Sequence, residues 1–143
     1  MNRFMVMATA VILISPCVHA QYADSRWTYY DGKKYEFNVS YDQLEATPTW
    51  TEEAENPPLA PRKAMTAALS YLPKLVSNAE KWNFASLHLE SVVNKGKWIY
   101  IVKFVSPHPP GIVDGPVRTM DIIVLMNGTT VKPVISKHKL VGD

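Results

Sequence analysis

Cysteine is nearly missing from this sequence of 143 residues, which contains Cys17 and no other. Cys17 lies within the first 20 residues, so a chain that begins after Ala20 has no thiol at all. Such a chain has no disulfide bond and no thiolate chemistry. Its stability must therefore come from a packed core.

Long hydrophobic runs are also missing. The longest, residues 4–14, is uncharged and largely apolar, but it is well short of the roughly 20 residues that span a bilayer. No later stretch approaches that length. We therefore expect no stable membrane insertion once the N-terminal segment has been removed.

The N-terminal segment has the three parts of a secretory signal peptide. Arg3 gives it a cationic start, the apolar run follows, and Pro16 ends the helical part before Val18 and Ala20. The pattern predicts a signal peptide over residues 1–20, with cleavage after Ala20 and export to the periplasm or the exterior. Two alternatives are a retained anchor and a lipoprotein acylated at Cys17, although Pro16 fits poorly before an acylated cysteine.

An excess of charge of one sign is absent as well. Without Arg3, the mature chain has 14 basic and 13 acidic residues. It shows no basic stripe of the kind that attracts nucleic acid or anionic lipid. The charge therefore indicates no polyanionic partner, and we expect no nucleic-acid binding.

Catalytic and metal-binding motifs are not found. The mature histidines, His88, His108 and His138, form no pair at metal-ligand spacing, and no G-x-S-x-G, Walker or G-x-G-x-x-G motif occurs. We therefore predict no catalytic residues, no metal and no cofactor. His108 and Asp114 remain as candidate loop contacts. Dispersed tryptophans (Trp50, Trp82 and Trp98) do not favour a sugar-binding platform.

The first elements after the signal are predicted to be β-strands. Residues 21–26 are polar and predict a loose leader. Asp31-Gly32 separates two aromatic, β-prone runs, which is typical of a hairpin with a type I′ turn. This predicts a hairpin over 27–41. Residues 42–60 are acidic and proline-rich, and predict a linker or an ordered surface loop.

A helix and a series of strands are predicted from Pro61 onward. The helix begins at Pro61 and ends near Pro73. Its predicted apolar stripe comprises Ala64, Met65, Ala68, Leu69 and Leu72. Strands are predicted at 84–93, 97–105, 117–126 and 129–136, with a proline-rich loop at 106–116. Pro133 marks the last strand as an edge strand.

These elements predict an α+β domain, with one main helix packed on an antiparallel β-meander of 3–4 strands and preceded by an N-terminal β-hairpin. Two strands of the meander are apolar on both sides, whereas a sheet with one wet face should alternate. The second side carries Ile99, Ile101, Val105, Ile123 and Leu125. Either the 27–41 hairpin covers this face as core, or the face is a partner-binding or homodimer surface.

Three motifs carry a family resemblance. They are the helix opening at 57–64, the W-x-Y-x-V strand at 97–104, and the strand and Asn-Gly turn at 122–131. In this order, they resemble the PepSY-type domain, most of all its small secreted bacterial versions. The resemblance covers 57–136 and divides the chain into a signal peptide (1–20), a hairpin and acidic, proline-containing linker (21–56), and a PepSY-like α+β domain (57–143).

The resemblance implies a non-enzymatic module of the cell envelope or exterior. Such domains occur in peptidase propeptides, where they are proposed to inhibit the peptidase, and as free-standing secreted proteins. We therefore expect an exported binding or regulatory module that engages a peptidase or another envelope protein or peptide. The alternatives are an envelope structural protein that associates with itself and, less favoured, a hydrolase.

Overall fold

The computed structural model describes residues 21–51, 53–92, 96–107 and 117–138. The predicted signal peptide, its cleavage site after Ala20 and the alternative lipidation of Cys17 lie outside these residues. So do the loop candidates His108 and Asp114. Within the described ranges, no helix is both long enough and apolar enough to cross a membrane.

The predicted hairpin is confirmed and is longer than expected. Strand β1 (Tyr22–Tyr30) pairs antiparallel with β2 (Lys33–Ser40). Asp31 and Gly32 have φ angles of 52° and 66°, as a type I′ turn requires. The predicted loose leader at 21–26 is wrong, because β1 already begins at Tyr22. The paired strand satisfies backbone groups that a loose leader would leave to solvent.

A short helix follows the hairpin, where the composition predicted only a linker or loop. Helix α1 (Tyr41–Glu45) begins with a capping box: the Ser40 hydroxyl accepts from the Gln43 amide, and the Gln43 side chain accepts from the Ser40 amide. Leu44 is its buried residue. The capping box and the burial of Leu44 both stabilise this short turn before the proline-containing segment.

The main helix, α2 (Pro61–Tyr71), begins at the predicted proline. A 3₁₀ turn, Leu72–Lys74, contains Pro73 and ends the helical path. Ala64, Ala68 and Leu72 are fully buried, and the two alanines let the helix approach β4 and β5 closely. The predicted stripe was too wide, because Leu69 is exposed.

Three of the predicted strands form one antiparallel sheet in the order β3-β4-β5, which we call the central sheet. Its strands are β3 (Asn83–Ser91), β4 (Trp98–Val105) and β5 (Thr119–Leu125). A register shift between Phe84 and Ser86 marks a bulge in β3. The remaining pairs are continuous from Ser86↔Lys103 to Ser91↔Trp98.

The last strand corrects the predicted meander. After β5, the Asn127-Gly128 turn returns the chain only as far as an isolated bridge between Val124 and Thr130. Pro133 cannot donate to a ladder, and β6 (Val134–Lys137) crosses to pair with β2. The fold therefore has two three-stranded antiparallel sheets and one main helix. The second sheet, in the order β1-β2-β6, is called the hairpin sheet, and β6 is one of its edges, as Pro133 predicted.

The central sheet is covered on both faces. The Tyr100 hydroxyl donates to the Leu59 carbonyl at 2.8 Å, which places the approach to α2 on the Tyr100 face. On the other face, the Arg26 guanidinium of β1 contacts the Glu90 carboxylate at 2.5 Å. The Thr28 hydroxyl of β1 also donates to the Thr119 carbonyl at the rim of β5. The hairpin sheet therefore packs against the second face.

This arrangement contradicts the interpretation of the second face of the central sheet as a partner-binding or homodimer surface. Ile99, Ile101, Ile123 and Leu125 are between 0% and 3% exposed in the single chain, and Val105 is half-buried. Tyr35, Phe37 and Val39 of β2 are equally buried. The four aliphatic side chains are core, since apolar burial stabilises the fold by about 25 cal/mol per Å². They are not an accessible partner surface.

The segments 21–56 and 57–143 share one sheet, because β6 of the second segment pairs with β2 of the first. Tyr35 adds a further link, since its hydroxyl donates to the Leu75 carbonyl at 3.0 Å. The hairpin is therefore built into the same fold as the helix and the central sheet.

Candidate binding surface

Three large exposed apolar side chains of the hairpin sheet lie together on its outer face. Trp27 is 59% exposed, Tyr29 is 48% exposed, and Val134 is 62% exposed. Trp27 pairs with Glu36, which in turn pairs with Val134, so one row crosses all three strands. Tyr29 pairs with Lys34 in the next row. We call Trp27, Tyr29, Lys34, Glu36 and Val134 the aromatic face.

The register of the hairpin explains why these residues are exposed. Cross-strand partners in an antiparallel pair share a face, and residues two apart on a strand do so as well. Tyr35 and Phe37 therefore face the central sheet together with Thr28 and Arg26. Trp27 and Tyr29 must then point outward. A one-residue change in the Asp31-Gly32 turn would exchange the two faces.

The polar side chains of the aromatic face are held in a hydrogen-bonded chain. The Lys34 ammonium donates to the Glu36 carboxylate at 2.7 Å and lies 5.4 Å from the centroid of the Trp27 ring. The Asn38 amide donates to the other Glu36 oxygen at 3.3 Å, and the Ser25 hydroxyl donates to the Asn38 carbonyl oxygen at 2.5 Å. These hydrogen bonds hold the polar side chains beside the two aromatic rings.

The protonation equilibria agree with this pairing. The hydrogen bond from Lys34, with a smaller one from Asn38, lowers the pKa of Glu36. The same hydrogen bond raises the pKa of Lys34. Both groups are therefore ionised at neutral pH and compensate each other. The aromatic face accordingly has large exposed rings and little net charge.

His138 extends the aromatic face at the turn end of the hairpin. Its ring lies 4.4 Å from the Tyr29 ring, centroid to centroid, and its backbone amide donates to the Gly32 carbonyl at 2.9 Å. Aromatic contacts of this kind add about 0.5–1.5 kcal/mol beyond simple burial. The contact restrains Tyr29 while leaving it about half exposed.

A second polar cluster lies between the two sheets. Arg26 bonds Asp24 through Nε at 2.7 Å as well as Glu90 through Nη2. Nearby, the Lys103 ammonium is 4.0 Å from Oδ1 of Asp121, and that oxygen is buried without a hydrogen bond from any described residue. Burial raises the pKa of Asp121, outweighing the opposing effects of Lys103, Arg26 and His88.

Neither surface brings together the side chains of a metal centre. Among the described residues, no group of three or more histidine, aspartate or glutamate side chains is placed to hold a metal ion. His88 contacts only the Ser86 hydroxyl, at 3.0 Å. The arrangement of the aromatic face is suited to binding, because rigid rings and fixed polar groups face solvent together.

The other tryptophans do not form an exposed platform. Trp82 is buried, and Trp50 and Trp98 pack edge to face with centroids 5.0 Å apart. The Trp98 indole also donates to the Trp50 carbonyl, and the Trp50 indole donates to the Ala54 carbonyl. These contacts make the three tryptophans structural.

The sequence contained a signal for the aromatic face that the prediction did not use. A two-residue turn at Asp31-Gly32 places Tyr30 opposite Lys33, and from there Tyr29 opposite Lys34 and Trp27 opposite Glu36. Because Lys34 and Glu36 are polar, the two aromatic residues had to lie on the polar side. Val134 could not be found in this way, because its position depends on the crossing of β6.

The chain matches no family model, and a search of curated proteins and of solved structures likewise returns no match.

Proposed function

We propose that this chain is an exported, non-enzymatic binding module of the PepSY-like type, and that it engages an envelope or secreted protein through the aromatic face. The observation that carries the proposal is the exposure of Trp27, Tyr29 and Val134 on a sheet face that no other element of the described residues covers. Export and the PepSY-like character are supported by the sequence patterns at 1–20 and 57–136.

The composition of the aromatic face favours a protein partner. Tryptophan and tyrosine are the residues most enriched at binding hot spots, because they bury a large area with few rotatable bonds. Lys34 already neutralises Glu36 at 2.7 Å, so a partner need not supply a compensating charge. A contiguous group of exposed apolar side chains on a monomer often marks a functional site.

The test compares the wild-type mature chain with two double variants. Trp27→Ala with Tyr29→Ala removes both rings from the exposed face. Tyr41→Ala with Phe84→Ala is the matched control, because these residues are also exposed aromatics but lie elsewhere on the fold. Each form is immobilised and incubated with periplasmic or extracellular extract of the source organism, and the captured proteins are quantified by mass spectrometry.

We expect the wild type and the control to capture at least one exported protein in similar amounts. The aromatic-face variant should capture at least tenfold less of it. A hot-spot loss of about 2 kcal/mol corresponds to a roughly 30-fold weaker affinity. Equal capture by all three forms would contradict the proposal. A wild-type dimer that the aromatic-face variant converts to a monomer, seen by light scattering, would instead support the self-associating alternative.

A further inference from the structure

The hydrogen-bond pattern of the central sheet leaves one side of β3 open. The Val92 amide donates to the Lys97 carbonyl at 2.8 Å, so Val92 and Lys97 are a hydrogen-bonded pair. Such pairs alternate along an antiparallel ladder. Glu90, His88 and Ser86 therefore direct their backbone groups toward β4, and the residues between them direct theirs away from it.

The neighbouring ladder supports this assignment. The Ser106 amide donates to the Arg118 carbonyl at 2.9 Å, so Phe104, Val102 and Tyr100 direct their backbone groups toward β5. The alternate residues of β4 then direct theirs toward β3, as the Val92–Lys97 pair requires. The outward-facing backbone groups of β3 are consequently those of Leu87, Leu89 and Ser91.

No described residue pairs with this edge. Strand β3 is terminal in the order β3-β4-β5, and Leu87, Leu89 and Ser91 make no backbone hydrogen bond outside their own sheet. The bulge near Ala85 limits the regular edge to 86–91. The result is a straight edge of about six residues, the length of an average strand.

We propose that the outer edge of β3 binds an extended peptide segment of a partner protein, which adds as a fourth strand to the central sheet. The peptide backbone pairs with Leu87, Leu89 and Ser91. This mode of recognition obtains its affinity from main-chain hydrogen bonds and its specificity from alternate side chains. It is a second binding surface, distinct from the aromatic face.

The side chains beside the edge define the chemistry of the peptide. Leu87 and Leu89 lie opposite Val102 and Tyr100, on the face that α2 covers, and are half-buried. An added strand would extend this apolar layer with alternate apolar side chains. On the other face, Asp24 and Glu90 share the single guanidinium of Arg26. Asp121 and Lys103 lie on the same face, which therefore has three carboxylates against two cations. The excess carboxylate favours basic side chains on the added strand.

The same features favour a peptide over a second copy of this chain. In an antiparallel pair of two β3 edges, any register that places the two Glu90 carboxylates directly opposite each other would be destabilised by their like charge. An edge of about six residues also buries far less than the roughly 800 Å² per partner of a stable interface. The proposal is therefore an alternating apolar and basic strand from another protein.

The test removes backbone hydrogen-bond donors from the edge, because side-chain variants alone cannot distinguish strand addition from binding through side chains. Ser91→Pro removes one outward donor from an exposed position, and an edge strand tolerates proline there. Ser91→Ala is the matched control, because it keeps the donor and removes only the hydroxyl. Leu89→Pro, at the centre of the edge, is a second variant. Circular dichroism and thermal melting establish which variants fold.

The probe is a fluorescein-labelled octapeptide of alternating valine and lysine, compared with one of alternating valine and glutamate. We expect the lysine peptide to bind the mature chain, and Ser91→Pro to weaken it about fivefold relative to Ser91→Ala, the effect of one backbone hydrogen bond. Amide exchange by NMR should be fast at Leu87, Leu89 and Ser91 in the free chain and slower with the peptide.

Three results would overturn the proposal. Slow exchange of these three amides in the free chain would mean that another segment already occupies the edge. Equal binding by the proline and alanine variants would show that the peptide binds elsewhere. A dimer that Ser91→Pro dissociates would identify a second copy as the occupant. The Trp27→Ala, Tyr29→Ala variant should bind the peptide normally, which separates this test from that of the aromatic face.

Discussion

The two sheets of this protein use β-strands in opposite ways. The central sheet is apolar on both faces, because α2 covers one face and the hairpin sheet covers the other. The hairpin sheet has one buried face, with Tyr35, Phe37 and Val39, and one wet face that carries Trp27 and Tyr29. The difference shows that an apolar side chain on either face of the central sheet can be core, whereas in the hairpin sheet its burial or exposure depends on which face it occupies.

The largest expected effect tests the buried side of this comparison. Ile101→Asp places a carboxylate in the core of the central sheet, where Ile101 is 3% exposed. We expect the free energy of unfolding to fall by more than about 4 kcal/mol, so that a urea titration shows no cooperative transition. Val134→Asp, on the wet face of the hairpin sheet, should change the free energy of unfolding by less than about 0.5 kcal/mol. A cooperatively folded Ile101→Asp monomer would show that this face is not core.

The next comparison concerns one turn from each sheet. Gly96, after β3, has φ +67°, and an added Cβ would lie 2.7 Å from Cγ2 of Thr49 and 2.9 Å from the Trp50 carbonyl oxygen. We expect Gly96→Ala to lower the unfolding free energy by about 2–4 kcal/mol, through strain and displacement of the backbone.

Gly32, in the hairpin turn, is the control for Gly96. It has φ +66°, and nothing lies within 4 Å of an added Cβ. Gly32→Ala should therefore lower the free energy of unfolding by only about 1 kcal/mol, which is the cost of a left-handed backbone conformation for alanine. Chemical denaturation of both variants measures the difference. Equal losses would mean that the Thr49–Trp50 segment does not restrict the turn at Gly96.

A smaller effect is expected where the two sheets meet. Arg26→Ala removes the contacts to Asp24 and Glu90 and the packing of the arginine stem. We expect the free energy of unfolding to fall by about 1 kcal/mol, because the side chains are partly exposed: Arg26 by 34%, Asp24 by 21% and Glu90 by 41%. Lys34→Ala removes an ion pair within the hairpin sheet and should leave the melting temperature unchanged. An Arg26 variant as stable as the wild type would show that this ion pair does not hold the sheets together.

The smallest effect depends on pH. Burial raises the pKa of Asp121 in the folded chain, so the folded state holds this proton more tightly than the unfolded state. Stability contributed by Asp121 is then lost as the pH rises through the raised pKa. We expect Asp121→Asn to be more stable than the wild type at pH 7, by less than about 1 kcal/mol after allowance for solvent screening.

The pH dependence of that difference is the decisive measurement. The advantage of Asp121→Asn should disappear near pH 3.5, below the ordinary pKa of aspartate, where the wild-type carboxyl is protonated as well. Urea titrations at both pH values give the comparison. A variant less stable than the wild type at pH 7 would mean that the cations Lys103 and Arg26 outweigh the burial of Asp121.

Local sequence signals predicted the parts of the fold that local chemistry determines. Asp31-Gly32 specified the hairpin, Pro61 the start of α2, and the runs of alternating residues the three central strands. The partner of β6 could not be predicted in this way. Its choice depends on the short return after Gly128 and on the edge that β2 offers, and neither is a property of residues 134–137.

The candidate site was predicted less well, for a related reason. The sequence correctly marked the second face of the central sheet as apolar, but the cover for Ile99, Ile101, Ile123 and Leu125 comes from strands more than 50 residues away. The predicted hairpin included Trp27 and Tyr29, but the face of the hairpin that they occupy was not predicted. Their exposure follows from the register at Asp31-Gly32 together with the burial of Tyr35 and Phe37.

The pairing of β6 with β2 has a consequence for synthesis on the ribosome. One edge of β2 gains its neighbour only after residues 134–137 have been made, about 100 residues later in the chain. A nascent polypeptide that stops before Val134 therefore cannot close the hairpin sheet. The growing chain therefore cannot reach its final form until residues 134–137 have been synthesised.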